Sequence, residues 1–177
     1  MSMREYHAFC AAMMIVIATP AMSQNAQFGQ PITPADIAGW DISIATDGTG
    51  LPPGRGTATQ GEAIYAAKCV ACHGDKGAGR PNDQLVGGIG SLAPDKVPMK
   101  TVGSYWPYAT TLFDYVRRAM PFQDTKSLTN DELYAVSAYI LNLNGILGRE
   151  ETLDAQSLPK LRMPNRDGFV PFPRNPR

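Results

Sequence analysis

The chain has 177 residues, a length that fits one domain or one domain with extensions. Its 16 Lys and Arg residues balance its 16 Asp and Glu residues, so the formal net charge is zero. This balance argues against nucleic-acid binding, which requires a basic patch, and it implies weak long-range electrostatic steering.

Residues 1–23 have the pattern of a secretory signal peptide. Arg4 provides the positive charge, and the apolar region at residues 9–18 is too short to span a bilayer. Small residues at positions 21 and 23 predict cleavage before Gln24. An uncleaved anchor is the alternative, and Pro20 argues against it. The pattern predicts export to the periplasm, with no membrane span after cleavage.

Cleavage would also change the set of reactive side chains. It removes Cys10 and His7, which leaves Cys69 and Cys72 as the remaining cysteines and His73 as the remaining histidine. Lipid attachment at Cys10 is disfavoured because no apolar run precedes it. A mature chain without a disulfide or a spare thiol suits an oxidising compartment.

Residues 24–56 are rich in Gly, Pro, Thr and Asp and show no sustained period, which predicts an irregular N-terminal extension. Residues 40–44 (Trp-Asp-Ile-Ser-Ile) are a candidate short strand, and residues 47–56 have the composition of turns. We expect this extension to lie on the folded core.

The first predicted helix covers residues 59–68, where Thr59 and Glu62 have the spacing of a capping box. Ile64 and Tyr65 are its apolar anchors. Gly61 in a helix costs about 1 kcal/mol relative to alanine, and close approach of another backbone would explain that cost.

The run Cys69-Val70-Ala71-Cys72-His73 has the C-x-x-C-H spacing of c-type haem attachment. The two thiols can add to the two vinyl groups of one porphyrin, and the adjacent histidine can then ligate the iron. A zinc half-site would need a second ligand pair, and a redox dithiol would follow a strand in a βαβ pattern. The motif therefore predicts one covalent haem c, held by Cys69 and Cys72, with His73 as an axial ligand.

Residues 74–109 hold many Gly and Pro residues and predict a loop that wraps the haem. Within it, Tyr105 and Trp106 are candidates for hydrogen bonds to a haem propionate, because Tyr O–H and Trp N–H groups need partners when buried. Packing in the core or at an interface is an equally good interpretation of both. Lys100 is a weaker propionate candidate.

The second predicted helix covers residues 111–119 and stops before Pro121. Thr110 or Thr111 is its N-cap, and Asp114 has capping-box spacing from Thr111. Two arginines in its last turn suit the helix dipole, and we interpret them as solvated side chains rather than docking residues: Arg117 and Arg118.

A low-spin electron-transfer haem needs a sixth ligand opposite His73, and methionine is the natural choice in a chain with no second histidine. Met120 follows a helix and precedes a proline, so its backbone is well fixed. Met99 lies in a loop and Met163 in the tail, and either could instead be core filler. We therefore predict Met120 as the sixth ligand, with Met99 and Met163 as the alternatives.

The third predicted helix covers residues 129–143, with a capping box formed by Thr129 and Glu132. Asn144 and Gly145 end it. Residues 145–177 are proline-rich and predict an irregular C-terminal tail. We expect apolar side chains of this tail to pack on the parent domain or on another chain.

These segments resemble the class I cytochromes c over residues 57–144. The resemblance rests on the C-x-x-C-H motif, on residues 117–122 (Arg-Arg-Ala-Met-Pro-Phe) and on residues 128–140. It implies an all-α class I cytochrome c fold in which three main helices surround one covalent haem. It also implies that the first and last helices cross near Gly61.

Residues 40–44, 47–52 and 100–108 also resemble the cytochrome subunits of periplasmic molybdenum sulfane and sulfite dehydrogenases, which act in thiosulfate and sulfite oxidation. This resemblance includes segments on both sides of the haem motif. The sulfane dehydrogenase cytochrome often carries two haem domains, whereas this chain has one C-x-x-C-H motif.

The resemblance implies an electron-accepting subunit that works with a molybdenum-containing subunit and passes single electrons to a downstream cytochrome or oxidase. In this interpretation the chain transfers electrons and is not a catalyst on its own. A free shuttle cytochrome feeding a terminal oxidase is the alternative. A haem enzyme or gas sensor would need an open sixth position, which the placement of Met120 disfavours.

Overall fold

The computed structural model describes residues 29–170, so the predicted signal peptide lies outside the described residues. Among the described residues, the chain divides into two compact units, residues 29–39 and residues 40–170. In the first unit, helix α1 (Pro34–Ala38) begins at Thr33, whose side chain forms a capping box with Asp36. This helix was not predicted from the sequence.

The second unit holds the remaining elements. Their order is β1 (Arg55–Gly56), α2 (Ala58–Lys68), α3 (Val70–His73), a 3-10 turn at Asp75–Gly77, α4 (Ala109–Ala119), α5 (Asn130–Leu143), β2 (Leu153–Asp154) and a 3-10 turn at Leu158–Lys160. This mainly helical arrangement confirms the class I cytochrome c fold, and its sheet consists of β1 and β2 alone within the described residues. Within residues 29–170, no helix is long and apolar enough to cross a membrane.

The packing of α2 against α5 forms the centre of the fold. A side chain at Gly61 would overlap the carbonyl group of Ala135, so only glycine allows the two backbones to come this close. Beside the crossing, the rings of Tyr65 and Tyr139 lie 5.3 Å apart between centroids. The predicted crossing near Gly61 is confirmed.

Two helix starts differ from the predictions. Helix α2 begins one residue earlier than expected, with the capping box formed by Thr57 and Gln60 rather than by Thr59 and Glu62. Glu62 instead pairs with Arg149 of the tail.

Helix α4 begins at Ala109, and the side chain of its N-cap residue, Tyr108, makes no capping hydrogen bond. The predicted capping box of Thr111 and Asp114 is therefore wrong, because Asp114 binds Arg118 and the backbone of Ile44. Helix α5 has the predicted capping box of Thr129 and Glu132.

The candidate strand at residues 40–44 is not a strand in the structure. The observed strands pair antiparallel, with Arg55 opposite Asp154 and Gly56 opposite Leu153. The sequence around β1 does not predict this strand, because the strand is only two residues long and its partner lies almost a hundred residues away.

The C-terminal tail supplies part of the core. Leu153 and Leu158 are fully buried and Met163 is 1% exposed. Other apolar side chains of the two extensions stay exposed, and Trp40 and Phe169 are examples. The tail thus belongs to the folded unit as far as Met163.

Candidate functional site

A cleft of about 480 Å³ opens between α3, α4, α5 and the loop that joins α3 to α4. This volume is within the range of small-molecule and cofactor sites. Its apolar lining comes mainly from α4, α5 and the loop: Leu85, Val102, Leu112, Val116, Val136 and Ile140.

The C-x-x-C-H motif lies on one wall of this cleft. Cys69 ends α2 and precedes α3, a single turn that carries Cys72 and His73. Cys72 and His73 lie three and four residues after Cys69, a spacing that places side chains on the same side of a helical turn, and both thiols and the imidazole line the cleft. Cys69 and Cys72 are free thiols rather than a disulfide.

The electrostatics of Cys69 disfavour the redox-dithiol interpretation. Burial, with a smaller contribution from the neighbouring Cys72, raises the pKa of its thiol to about 11. Reactive dithiols have a lowered pKa, because the thiolate is the nucleophile. The Cys69 thiol is therefore protonated at neutral pH and has no thiolate character of its own.

The ring of His73 is oriented by the loop that follows the motif. Its Nδ1 lies 2.8 Å from the carbonyl oxygen of Asp83. A carbonyl can only accept, so Nδ1 carries the proton and Nε2 keeps its lone pair for a metal. The loop is itself held to the motif, because the Asn82 N–H donates to the Cys72 carbonyl at 2.9 Å.

Met120 lies on the cleft at the end of α4, where it is the C-cap residue. Its N–H donates to the Val116 carbonyl at 3.1 Å, so the last turn of α4 sets its backbone position. The two alternative methionines do not line the cleft. Met163 is buried in the core, and Met99 is partly exposed beside Gly88.

The structure separates the two aromatic candidates for propionate binding. Trp106 lines the cleft and packs edge-on against Tyr115, with 5.6 Å between ring centroids. Tyr105 does not line the cleft, because its ring packs against Phe169 at 5.2 Å. Lys100, the weaker candidate, also lines the cleft.

Several cleft residues were not found by sequence reasoning. Asp83 contacts His73 through its backbone carbonyl, and the residue type at a position does not predict such a contact. The amides and one exposed aromatic of the rim lie at loop positions without a period: Asn82, Gln84, Phe122 and Gln123. Phe122 directly follows the Met-Pro dipeptide, and this was the one available signal.

The residues present fit a covalent haem. The cleft offers two thiols on one wall, an imidazole with its Nε2 free, a thioether and an apolar lining. A zinc site needs a closed set of Cys, His or carboxylate ligands, and no group of three or more His, Cys, Asp or Glu side chains able to hold a metal lies in residues 29–170.

Comparisons with known proteins agree with this site. Residues 56–140 match the family described as "Cytochrome C oxidase, cbb3-type, subunit III". No curated protein matches the chain. The crystal structure of the sulfane dehydrogenase SoxCD from Paracoccus pantotrophus contains a chain that is 40% identical and superposes with a TM-score of 0.77. The match covers 83% of this chain and 72% of that chain. The protein therefore belongs to the class I cytochromes c, which bind haem c covalently, and is a relative of a chain of sulfane dehydrogenase SoxCD.

Proposed function

We propose that the protein is a periplasmic monohaem cytochrome that accepts single electrons from a molybdenum-containing sulfite or sulfane dehydrogenase subunit. It then passes them to a downstream cytochrome or oxidase. The sulfur compound would be oxidised on the partner, so that this chain is the electron-transfer subunit.

The extent of the SoxCD match carries this proposal. Residues 56–140 are fewer than half of the chain, yet the match covers 83% of it. It must therefore include much of the extensions, which the general cytochrome family does not explain. A free shuttle cytochrome would have little use for these extensions, whereas a subunit of a complex can use them for packing and docking.

Four residues would hold the cofactor. Cys69 and Cys72 would each add a thiol across one vinyl group, with the sulfur bonded to one vinyl carbon and the hydrogen to the other. The Nε2 of His73 and the sulfur of Met120 would ligate its iron. When bound, haem c supplies a one-electron redox centre.

The ligands and the cleft lining together would set the properties of that centre. Methionine–histidine ligation favours a high reduction potential, and an apolar lining excludes water from the metal. The Trp106 N–H and the Lys100 ammonium are the cleft groups suited to a propionate, one as a hydrogen-bond donor and the other as a cation.

The test has two parts. The mass of the exported protein should equal that of a chain beginning at Gln24 plus one haem that resists extraction with acidified acetone. The protein should also co-purify with a molybdopterin subunit and be reduced when sulfite or thiosulfate is added to the pair. Loss of haem on extraction would reject covalent attachment. Reduction by substrate only through a freely exchanging third protein would favour the shuttle.

A further inference from the structure

A short strap, residues 42–46, lies along the outer side of α4. It runs opposite to the helix, since Thr46 contacts the first turn and Ile42 contacts the last. The Thr110 hydroxyl donates to the Thr46 carbonyl at 3.3 Å, and the Arg117 guanidinium donates to the Ile42 carbonyl at 3.2 Å. The strap is thus attached to the helix at both ends.

Asp114 is the central junction between the strap and α4. Its carboxylate accepts the backbone N–H of Ile44 at 3.1 Å and the Nε–H of Arg118 at 3.0 Å. Arg118 then donates from Nη2 to the Ser43 hydroxyl at 2.9 Å. The Asp114 carboxylate accepts from both the strap and Arg118, and Arg118 donates in turn to the strap at Ser43, so these contacts tie the last turn of α4 to the strap.

The last turn of α4 is the main support of Met120. Arg118 lies two residues before Met120, whose N–H is bonded to Val116 in the same turn. The chain beyond it provides little support, since residues 122–126 are exposed. Helix ends fray unless they are fixed, so contacts on the preceding turn determine how firmly the thioether is held.

We infer that the strap and the Asp114–Arg118 pair position Met120 and keep its sulfur in the sixth coordination position. This inference rests on the proposed function, which makes Met120 an axial ligand. Asp114 and Arg118 act through the helix end, and neither needs to touch the haem. Arg118 then has a positioning role in addition to its favourable interaction with the helix dipole.

Competition for the sixth position tests the inference in the haem-loaded protein. Imidazole displaces a loosely held thioether more easily than a firmly held one. We expect Arg118→Ala and Asp114→Asn each to lower the imidazole Kd about five- to tenfold, which corresponds to ~1–1.4 kcal/mol. The double variant should shift the Kd no further than either single variant, because both substitutions break one junction.

Arg149→Ala is the matched control, because it breaks another partly exposed ion pair, with Glu62, away from the cleft. Its imidazole Kd should equal that of the unmodified protein. An equal shift in Arg149→Ala would overturn the inference, as would an unchanged Kd in both junction variants. If Arg118→Ala fails to fold, Asp114→Asn decides alone, since it keeps the size of the side chain.

Met120→Ala separates this inference from the proposed function. The axial assignment holds if the unmodified protein shows sulfur-to-iron absorption that Met120→Ala lacks. If that absorption is present and the junction variants leave the imidazole Kd unchanged, only the role of the strap is rejected. If Met120→Ala retains the absorption, the axial assignment and the role of the strap are rejected together.

Discussion

His73 and Met120 face the same cleft, but their side chains are held differently. The His73 ring is fixed by a hydrogen bond to the Asp83 carbonyl. The position of the Met120 thioether instead depends on the end of α4, where Met120 is the C-cap residue. At the scale of single residues, we therefore expect mutations and competing ligands to displace the sulfur first from the proposed haem site.

Replacing Met120 with alanine should abolish the sulfur-to-iron absorption of the oxidised protein and lower its reduction potential. The reason is that a methionine ligand raises the potential relative to water or nitrogen donors. Absorption spectroscopy and redox titration measure both effects. Met99→Ala is the control, because Met99 does not line the cleft, and it should leave the spectrum unchanged. The opposite pattern would assign the ligand to Met99.

At this scale the sequence was informative where the chemistry depends on side-chain type. Cys69, Cys72, His73 and Met120 were all named from spacing and context, and the structure brings them to one cleft. The contact of Asp83 with His73 uses a backbone carbonyl, which any residue could supply. Tyr105 and Trp106 were each left open between propionate binding and packing, and only the structure shows that Trp106 lines the cleft whereas Tyr105 packs on Phe169.

At the scale of secondary-structure elements, the contact between α2 and α5 depends on Gly61. We expect Gly61→Ala to destabilise the protein by up to about 2 kcal/mol net, because an added methyl group overlaps the Ala135 backbone and overpacking costs about 1–3 kcal/mol. The gain in helix propensity, about 1 kcal/mol, offsets only part of the loss. Denaturant unfolding measures the change. Gly39→Ala, where an added Cβ has no neighbour within 4 Å, should be close to neutral.

The capping box of α5 gives a pH dependence with a defined sign. The Thr129 N–H lowers the pKa of Glu132 from its ordinary value of 4.5. The unfolded chain therefore binds this proton more readily than the native protein, so the stabilisation is present above pH 4.5 and is lost as the pH falls through the native pKa. The free energy of unfolding should fall more steeply below pH 5 in the unmodified protein than in Glu132→Gln.

Glu62→Gln provides the control for this pH experiment, since it removes one carboxylate from α2 without altering a helix cap. Its unfolding free energy should keep the acid dependence contributed by Glu132. Parallel pH profiles for the unmodified protein and Glu132→Gln would show that the capping carboxylate has no such role.

The helix starts show why local signals identify elements better than their ends. Two overlapping boxes, Thr57 with Gln60 and Thr59 with Glu62, have the same capping spacing. The structure uses the first, because Arg55 and Gly56 pair with β2 and the helix begins directly after them. The choice depends on a strand at residues 153–154, which no local pattern reveals.

At the scale of the whole molecule, the tail has two parts with different roles. Residues as far as Met163 complete the core, and Asn165 continues the attachment by donating to the Tyr105 carbonyl at 2.7 Å. Beyond Gly168, Phe169 is 51% exposed and Val170 is 85% exposed. The sequence indicated that the apolar groups of the tail pack somewhere, but it could not show which ones pack on this chain.

Deleting residues 150–177 should abolish stable folding. The deletion removes β2 together with Leu153, Leu158 and Met163, and each large buried side chain lost from a core costs about 2–5 kcal/mol. Such losses approach the whole stability of a typical domain. Thermal unfolding of the haem-loaded protein checks this, and a cooperative transition near that of the full chain would contradict it.

Deleting residues 169–177 should instead leave the fold and the haem spectrum intact while weakening association with the proposed molybdenum-containing partner. Zero net charge leaves apolar contact as the main source of docking energy, and the deleted segment carries exposed apolar side chains close to Tyr105. Phe169→Ala should reproduce part of the loss, whereas Val97→Ala, which truncates another exposed apolar side chain in the loop before α4, should not. Co-purification and the rate of substrate-driven haem reduction measure the effect. If the shortened chain binds its partner and is reduced as fast as the full chain, docking uses another surface.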